Sequence, residues 1–459
     1  MFRRYIGDRA FYRRVIGIVL PIIIQNGITN FVSLLDNIMV GRVGTLPMSG
    51  VSIVNQLLFI FNLCIFGASS GAGIFTAQFH GSQDDTGIRY TFRFKLLICS
   101  ALSILGVTLF LTTGDKLIGL YLTGEGSSQE AAQALGYGRE YLLVMLFGLL
   151  PFALSNAYSS TLRETQQTVI PMLAGIAAVF VNLGLNYVLI FGHLGLPAMG
   201  VRGAALATVI SRFVELGIVA LWTHIHAQKE PFIQGAYASV YIPGKLLKAI
   251  SLKGLPLLIN EFLWSCGVAF LNQCYSTCSL DVVPAMNIAT TLSNLGGVVY
   301  LSMGNAVGIL MGQMLGAQES RETVQDANRK LIFASVVSGS VFGILMACFA
   351  GVFPRIYNTT PSVMLLAEKM ILISSFMILF HSYANAAYFT LRSGGKAFIT
   401  FLFDSGFLWA CSAPLAFFLS RYGNLPILPL YIICQIPDMF KCVIGAFMLK
   451  KGSWIQNLT

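Results

Sequence analysis

Residues 73–83 read Gly-Ile-Phe-Thr-Ala-Gln-Phe-His-Gly-Ser-Gln, and residues 308–318 read Gly-Ile-Leu-Met-Gly-Gln-Met-Leu-Gly-Ala-Gln. Gly73, Ile74, Gln78, Gly81 and Gln83 return as Gly308, Ile309, Gln313, Gly316 and Gln318, at a constant offset of 235 residues. The same offset brings Leu20-Pro21 onto Leu255-Pro256 and Asn37 onto Asn272. At an offset of 229, Asn156-Ala157 meets Asn385-Ala386, and Thr161-Leu162-Arg163 meets Thr390-Leu391-Arg392. The change of six is a difference in loop length. The chain therefore reads as two like halves, 1–228 and 251–459, joined by a polar segment at 229–250.

Composition says what the halves are made of. Of 459 residues, 56% are hydrophobic and only 10% carry charge, against about 25% in an average soluble domain. The mean hydropathy of +0.74 agrees. This excludes a soluble enzyme and a disordered chain. Crossing about 30 Å of hydrocarbon takes about 20 apolar residues as a helix. Twelve such stretches occur, near 15–40, 50–78, 95–114, 137–159, 168–192, 202–226, 252–278, 284–314, 331–353, 365–391, 397–421 and 427–449. They are long and continuous, without period-2 alternation, so helices are expected rather than strands. Each half holds six spans. Six is even, so the halves share one orientation and form a parallel repeat about an axis along the membrane normal. The expected fold is an all-α polytopic membrane protein with twelve transmembrane helices in two six-helix lobes.

The net charge is +10. With the N-terminus inside, twenty basic residues fall in inner segments and seven in outer ones. That asymmetry puts both termini in the cytoplasm. It also accounts for the positive balance, so nucleic acid is not an expected partner. The nine cysteines lie almost all inside apolar runs, where the thiol behaves as a small hydrophobe. Neither a disulfide framework nor a metal centre at Cys274 and Cys278 is expected. The basic N-terminus runs into an apolar stretch too long for a cleavable signal peptide.

A charge at the bilayer centre costs roughly 2.5–3.5 kcal/mol on insertion scales, so each one needs a reason. In span 1, Gln25, Asn26, Thr29, Asn30, Ser33, Asp36 and Asn37 recur at three- and four-residue spacing. Such a stripe must face protein or water. Asp36, near the outer end, is the candidate for binding a proton or a cation. Asn182 and Asn186 share one face of span 5, Asn156 ends span 4 and Thr208 lies in span 6. Amide and hydroxyl oxygens suit a hard cation or a proton-linked network. In the second half, Glu261, His381 and Asp404 lie in spans 7, 10 and 11. Glu261 and Asp404 have no basic neighbour in sequence, so cavity roles in substrate binding are expected for them. His381, Gln25, Asn26 and Asn30 join that set. Glu215 and Asp438 have Arg212 and Lys441 three residues away, as local ion pairs would.

Leu-Leu-Asp36-Asn-Ile-Met-Val-Gly41 resembles the multidrug and toxic compound extrusion (MATE) family. So do Asn186-Tyr-Val-Leu-Ile-Phe-Gly192, Gly200-Val-Arg-Gly-Ala-Ala-Leu-Ala-Thr208, the paired Thr-Leu-Arg motifs and the two Gln-x-x-Gly-x-Gln motifs. The resemblance runs in order along nearly the whole chain. It implies an exporter of organic cations or drugs, driven by inward flow of H⁺ or Na⁺, with rocking lobes giving alternating access. It implies that Asp36 is the coupling carboxylate, surrounded by Asn156, Asn182, Asn186 and Thr208, with Na⁺ near Asp36 as one form of that site. Some relatives hold Asp where Asn186 stands, which moves the expectation toward protons. A monomer in a bacterial-type inner membrane, with no cofactor beyond the coupling ion, is implied too. The alternative within the superfamily is a flippase of lipid-linked saccharides, which needs basic residues lining its cavity. No enzyme is expected: Gly67-Ala-Ser-Ser-Gly71 falls mid-helix rather than on a nucleophile elbow, and Arg392-Ser-Gly-Gly-Lys396 lacks Walker spacing.

Overall fold

The computed structural model describes residues 5–122, 128–279, 281–357, 359–423 and 425–459, and the side chains of 32–34, 37, 38 and 128 fall outside that description. Ser33 and Asn37 of the expected stripe therefore lie outside the described residues. Among the described residues, twelve helices are long and apolar enough to cross a membrane. They are α1 (Arg9–Gly41), α2 (Thr45–Gly81), α3 (Asp85–Leu122), α4 (Ser128–Glu164), α5 (Val169–Phe191), α6 (Gly200–Ile225), α7 (Gly244–Ser276), α8 (Val282–Gly316), α9 (Arg321–Phe349), α10 (Pro361–Ser393), α11 (Ala397–Tyr422) and α12 (Ile427–Lys451). Every expected span is present, and among the described residues there is no strand. Helices outrun the apolar stretches where polar residues continue the winding. α3 has 38 residues because it starts at Asp85 and carries Arg89, Arg93 and Lys95 in its first turns.

The helices divide into two compact units, and the division falls inside α1, after Ile23, and inside α2, after Thr76. One unit holds residues 24–76 and 85–251. Its core joins Val54, Phe61 and Ile65 of α2, Leu142, Leu149 and Ala153 of α4, and Val201, Ala205 and Val209 of α6. The segment after α6 folds back onto this unit. Phe232 is buried against the rings of Phe92 and, through it, Tyr158. The Arg93 guanidinium donates to the carbonyls of Gly235, Ala236 and Tyr241 at 2.7, 2.8 and 2.9 Å. A planar five-donor fork is suited to gathering a loop's orphan carbonyls in this way.

Glu230 opens that segment and is buried. Its carboxylate accepts from Thr165 Oγ1 at 3.3 Å and from Gln167, and it faces Asp85. Burial raises its pKa from the ordinary 4.5 to about 7, outweighing the two hydrogen bonds that lower it, and Asp85 pushes the same way as burial. The folded form then holds the proton more tightly than the unfolded form. Its contribution to stability is complete below pH 4.5 and is lost as pH rises through about 7, at most about 3 kcal/mol at 1.36 kcal/mol per pH unit. Hydrogen-exchange protection of residues 231–241, corrected for intrinsic rates, should fall between pH 5.5 and 8 in the wild type. It should stay level in Glu230→Gln. An equal fall in the variant would remove Glu230 as the cause.

The second unit holds Met1–Ile23, Ala77–Asp84 and Leu252–Thr459. Val15, Ile18, Val19 and Ile22 of α1 pack in one core with Met303, Val307 and Leu310 of α8 and Leu391 of α10. A second core joins α7, α8, α10 and α12 around Tyr275, Ala285, Ile371 and Cys434. The last turn of α2 is held by the chain's own C-terminal tail. Gln78 donates to Ser393 O at 2.9 Å and Gln456 O at 3.3 Å, and it accepts from Leu458 N at 2.7 Å. Trp454 of that tail is fully buried, its Nε1 donating to Leu449 O at 3.3 Å. Replacing it by Ala should cost about 3–5 kcal/mol, the usual price of removing a buried large aromatic. Thermal unfolding in detergent would read this as a clear fall in Tm, whereas an unchanged Tm would place the tail outside the cooperative unit.

Candidate functional site

The helix pair α5 and α6 approaches closely because Gly203 has no side chain. A Cβ there would lie 2.6 Å from Leu189 O. The antiparallel pair then aligns Thr208 of α6 with Asn182 of α5. Asn182 and Asn186, one turn apart, present their amides on one face. Asn186 Nδ2 donates to Asp36 Oδ1 at 2.6 Å and lies 3.1 Å from Asn182 Oδ1, while Asn182 Nδ2 lies 3.2 Å from Thr208 Oγ1. Turned over, the Asn182 amide donates to Asp36 Oδ1 at 2.9 Å and Oδ2 at 3.1 Å, and accepts from Thr208 at 3.2 Å. Both Asn side chains are buried, at 5% and 1% exposed. Among the described residues Asp36 has no ion-pair partner within 4 Å. The charge of Arg212 acts on it from further away, and that guanidinium is engaged by Glu215 at 3.5 Å and by the Phe152 ring at 4.6 Å. Asp36 is thus a carboxylate bound by neutral donors, with no base within 4 Å among the described residues.

Four of the five expected coupling residues therefore meet: Asp36, Asn182, Asn186 and Thr208. Asn156 is placed on α4 with its Oδ1 buried and unpartnered, outside the bonded cluster. Gln25 leans on α5, where a Cβ at Gly175 would come within 3.0 Å of its Nε2, and its Oε1 is also buried and unpartnered. Asn30 is exposed, its amide donating to Asn26 O at 2.8 Å one turn back. Sequence reasoning missed Tyr141, whose buried hydroxyl donates to Asn55 Oδ1 at 3.2 Å and reaches Thr208. A tyrosine in an apolar run gives no signal by itself.

In the second unit, Asp404 is corrected from an acid without a base to one with a partner. Lys441 Nζ lies 3.3 Å from Asp404 Oδ1 and 3.5 Å from Asp438 Oδ1. The base comes from α12, 37 residues away in sequence, which is why spacing along the chain did not show it. Asp404 sits in the first of two π-helical stretches in α11, Leu402–Gly406 and Leu408–Ser412. π-turns leave backbone groups to be satisfied from elsewhere. Here Asn260 of α7 accepts from Ser405 N at 3.2 Å and donates to Asp404 Oδ2 at 3.1 Å. His381 Nε2 lies 3.3 Å from Asp438 Oδ2. Glu261 has no ion-pair partner within 4 Å among the described residues, although the charges of Arg392 and Asp404 reach it.

Comparison with known proteins places this geometry. The MatE family profile matches residues 21–188 and 256–418, one stretch in each half. The chain is 25% identical over 447 residues to the "Probable multidrug resistance protein NorM" of Thermotoga maritima, covering 96% of this chain and 93% of that one. A solved structure described as the outward-facing conformation of a multidrug resistance MATE family transporter superposes with a TM-score of 0.84 at 19% identity, over 99% of this chain and 98% of that one. A structure of MATE in complex with MaL6 superposes with a TM-score of 0.83 at 20% identity, with the same coverage. At these identities the structures establish the shared two-lobe fold.

Proposed function

This chain belongs to the MatE family of membrane transporters, and on that premise we propose that it is a proton-driven antiporter exporting organic cations and drugs by alternating access. The observation that carries the reading is Asp36, a membrane-embedded carboxylate bound, among the described residues, by neutral side chains. The relatives named as multidrug resistance proteins supply the cargo class. Inner-membrane location, cytoplasmic termini and action as a monomer belong to the same reading.

The local chemistry supports a proton. With Asp36 ionised, Asn186 donates to it, and the alternative Asn182 amide orientation adds two more contacts. Hydrogen bonds to a charged acceptor are about twice as strong as neutral ones. Protonation turns an acceptor into a donor and removes that advantage. Asn186 Oδ1 is buried and unpartnered, so turning this amide over gives the carboxyl proton an acceptor. The two amides thereby read the protonation state of Asp36, and α5, with α6 joined to it through Thr208, responds to it. Antiport follows if the protonated form and the cation-bound form favour opposite states, since a ligand shifts an equilibrium only by its differential affinity.

Of the buried bases in the span helices among the described residues, Arg93, Lys95, Arg392 and Lys441, two are engaged by carboxylates, Lys95 at 2.5 Å from Glu164 and Lys441 at 3.3 Å from Asp404. That leaves these two poorly suited to the phosphates of a lipid-linked saccharide. Efflux of ethidium from liposomes under pH and Na⁺ gradients imposed separately tests the proposal. The pH gradient alone should drive efflux. Drive by Na⁺ alone would replace the proton with sodium, and drive by neither would overturn the antiport reading.

A further inference from the structure

In the second unit an ammonium already sits in a receptor. Lys441 Nζ contacts one oxygen of Asp404 and one of Asp438, at 3.3 and 3.5 Å, with the Phe407 ring centroid 5.8 Å away. Each carboxylate gives its other oxygen to an orienting donor, Asn260 Nδ2 at 3.1 Å and His381 Nε2 at 3.3 Å. Asn260 is fixed in turn, since its Oδ1 accepts from Ser405 Oγ at 2.7 Å. Two aimed carboxylates and an aromatic face are the chemistry that recognises alkylammonium groups.

The first half does not repeat this arrangement. At the 229-residue offset, Lys441 corresponds to Arg212, but Asp404, Phe407 and Asp438 correspond to Gly175, Ala178 and Val209. Arg212 is matched by Glu215 three residues away. A structural base needs no more than that. Arg212 also lies against a ring, that of Phe152 at 4.6 Å; what sets Lys441 apart is a second acid within 4 Å, with Asp404 and Asp438 standing where the first half has no acid at the aligned positions. Two carboxylates face this one ammonium, with His381 as the further partner of Asp438 at 3.3 Å.

We propose that Asp404, Asp438 and Phe407 form a binding site for an alkylammonium group of the cargo, with Lys441 as its internal competitor. The site is vacant for cargo only when the lysine withdraws, so Lys441 sets a threshold that the incoming cation has to exceed. The inference rests on the reading that the cargo is cationic.

The test measures binding of butylammonium and tetramethylammonium to purified protein by calorimetry, with no gradient present. Apparent affinity is reduced by the fraction of sites the competitor occupies, so Lys441→Met should bind about tenfold more tightly or better. Lys441→Arg should bind more weakly than wild type, because a guanidinium holds a carboxylate by two bonds. Lys330→Gln removes the same charge from an i,i+4 pair with Asp326 elsewhere in the unit and should match wild type. Adding Asp404→Asn to Lys441→Met should abolish the gain. Phe407→Leu should weaken tetramethylammonium more than butylammonium. Equal affinities in Lys441→Met and Lys330→Gln, or tighter binding in Lys441→Arg, would overturn the site. Should Lys441→Met not fold, Lys441→Arg and Phe407→Leu still decide the question. Because binding is read apart from transport, a failed cage beside intact ethidium efflux sinks this inference and leaves the antiporter standing.

Discussion

Asp36→Asn will lower pH-driven ethidium efflux by roughly 5–150-fold, the usual span of a coupling free energy, while the protein keeps its fold. The amide has the carboxylate's shape and can still accept from Asn186, whose Nδ2 lies 2.6 Å from Asp36 Oδ1. It cannot change charge. The two amides of α5 then have a single state to report, and the cargo-bound and ion-bound forms lose their opposition. Asp36→Glu keeps the charge but moves it by one methylene, and should retain part of the activity. Thermal unfolding separates loss of coupling from loss of fold, since the expected change in Tm for Asp36→Asn is small. Undiminished efflux would take Asp36 out of the mechanism.

A large effect on stability should come from Lys95. Its ammonium is completely buried, 2.5 Å from Glu164 Oε2 and 3.1 Å from Thr161 Oγ1. Lys95→Met removes the ammonium 2.5 Å from the Glu164 carboxylate and so breaks the buried pair. Breaking one partner of a buried pair costs about 3–5 kcal/mol, whereas replacing both by apolar groups is often neutral or stabilising by about 1–4 kcal/mol. Lys95→Met should therefore unfold at a much lower temperature, and Lys95→Met with Glu164→Leu should recover most of that loss. A double variant as unstable as the single would show that Thr161 and packing, rather than the broken pair, set the cost.

Sequence carried the architecture because the membrane imposes it. Backbone groups in hydrocarbon have to be satisfied within the segment, so a long apolar run such as 397–421 has one outcome, and the repeated Gln-x-x-Gly-x-Gln signals fixed the duplication. The polar cluster around Asp36 was legible for the same reason. Asp36, Asn182 and Asn186 are polar where polarity is costly, and the i,i+4 spacing of the two Asn put them on one face. What stayed hidden depends on which helix faces which. Lys441 pairs with Asp404 across α11 and α12, and Asn260, one residue before the singled-out Glu261, makes the bond to Asp404. The π-turns at Leu402–Gly406 and Leu408–Ser412 that aim Asp404 have no signature in a run that reads as ordinary helix. The contact boundary inside α1, two residues past Pro21, is likewise invisible to a count of spans.

The proposed antiport rests on one exchange: a proton leaves a single membrane carboxylate as a cation binds. Proton release on adding ethidium to purified protein in weakly buffered detergent reads that exchange directly. The wild type should release close to one proton per cation bound, and Asp36→Asn none, since binding and protonation are reciprocally linked. No release from the wild type, or the same release from Asp36→Asn, would contradict the account.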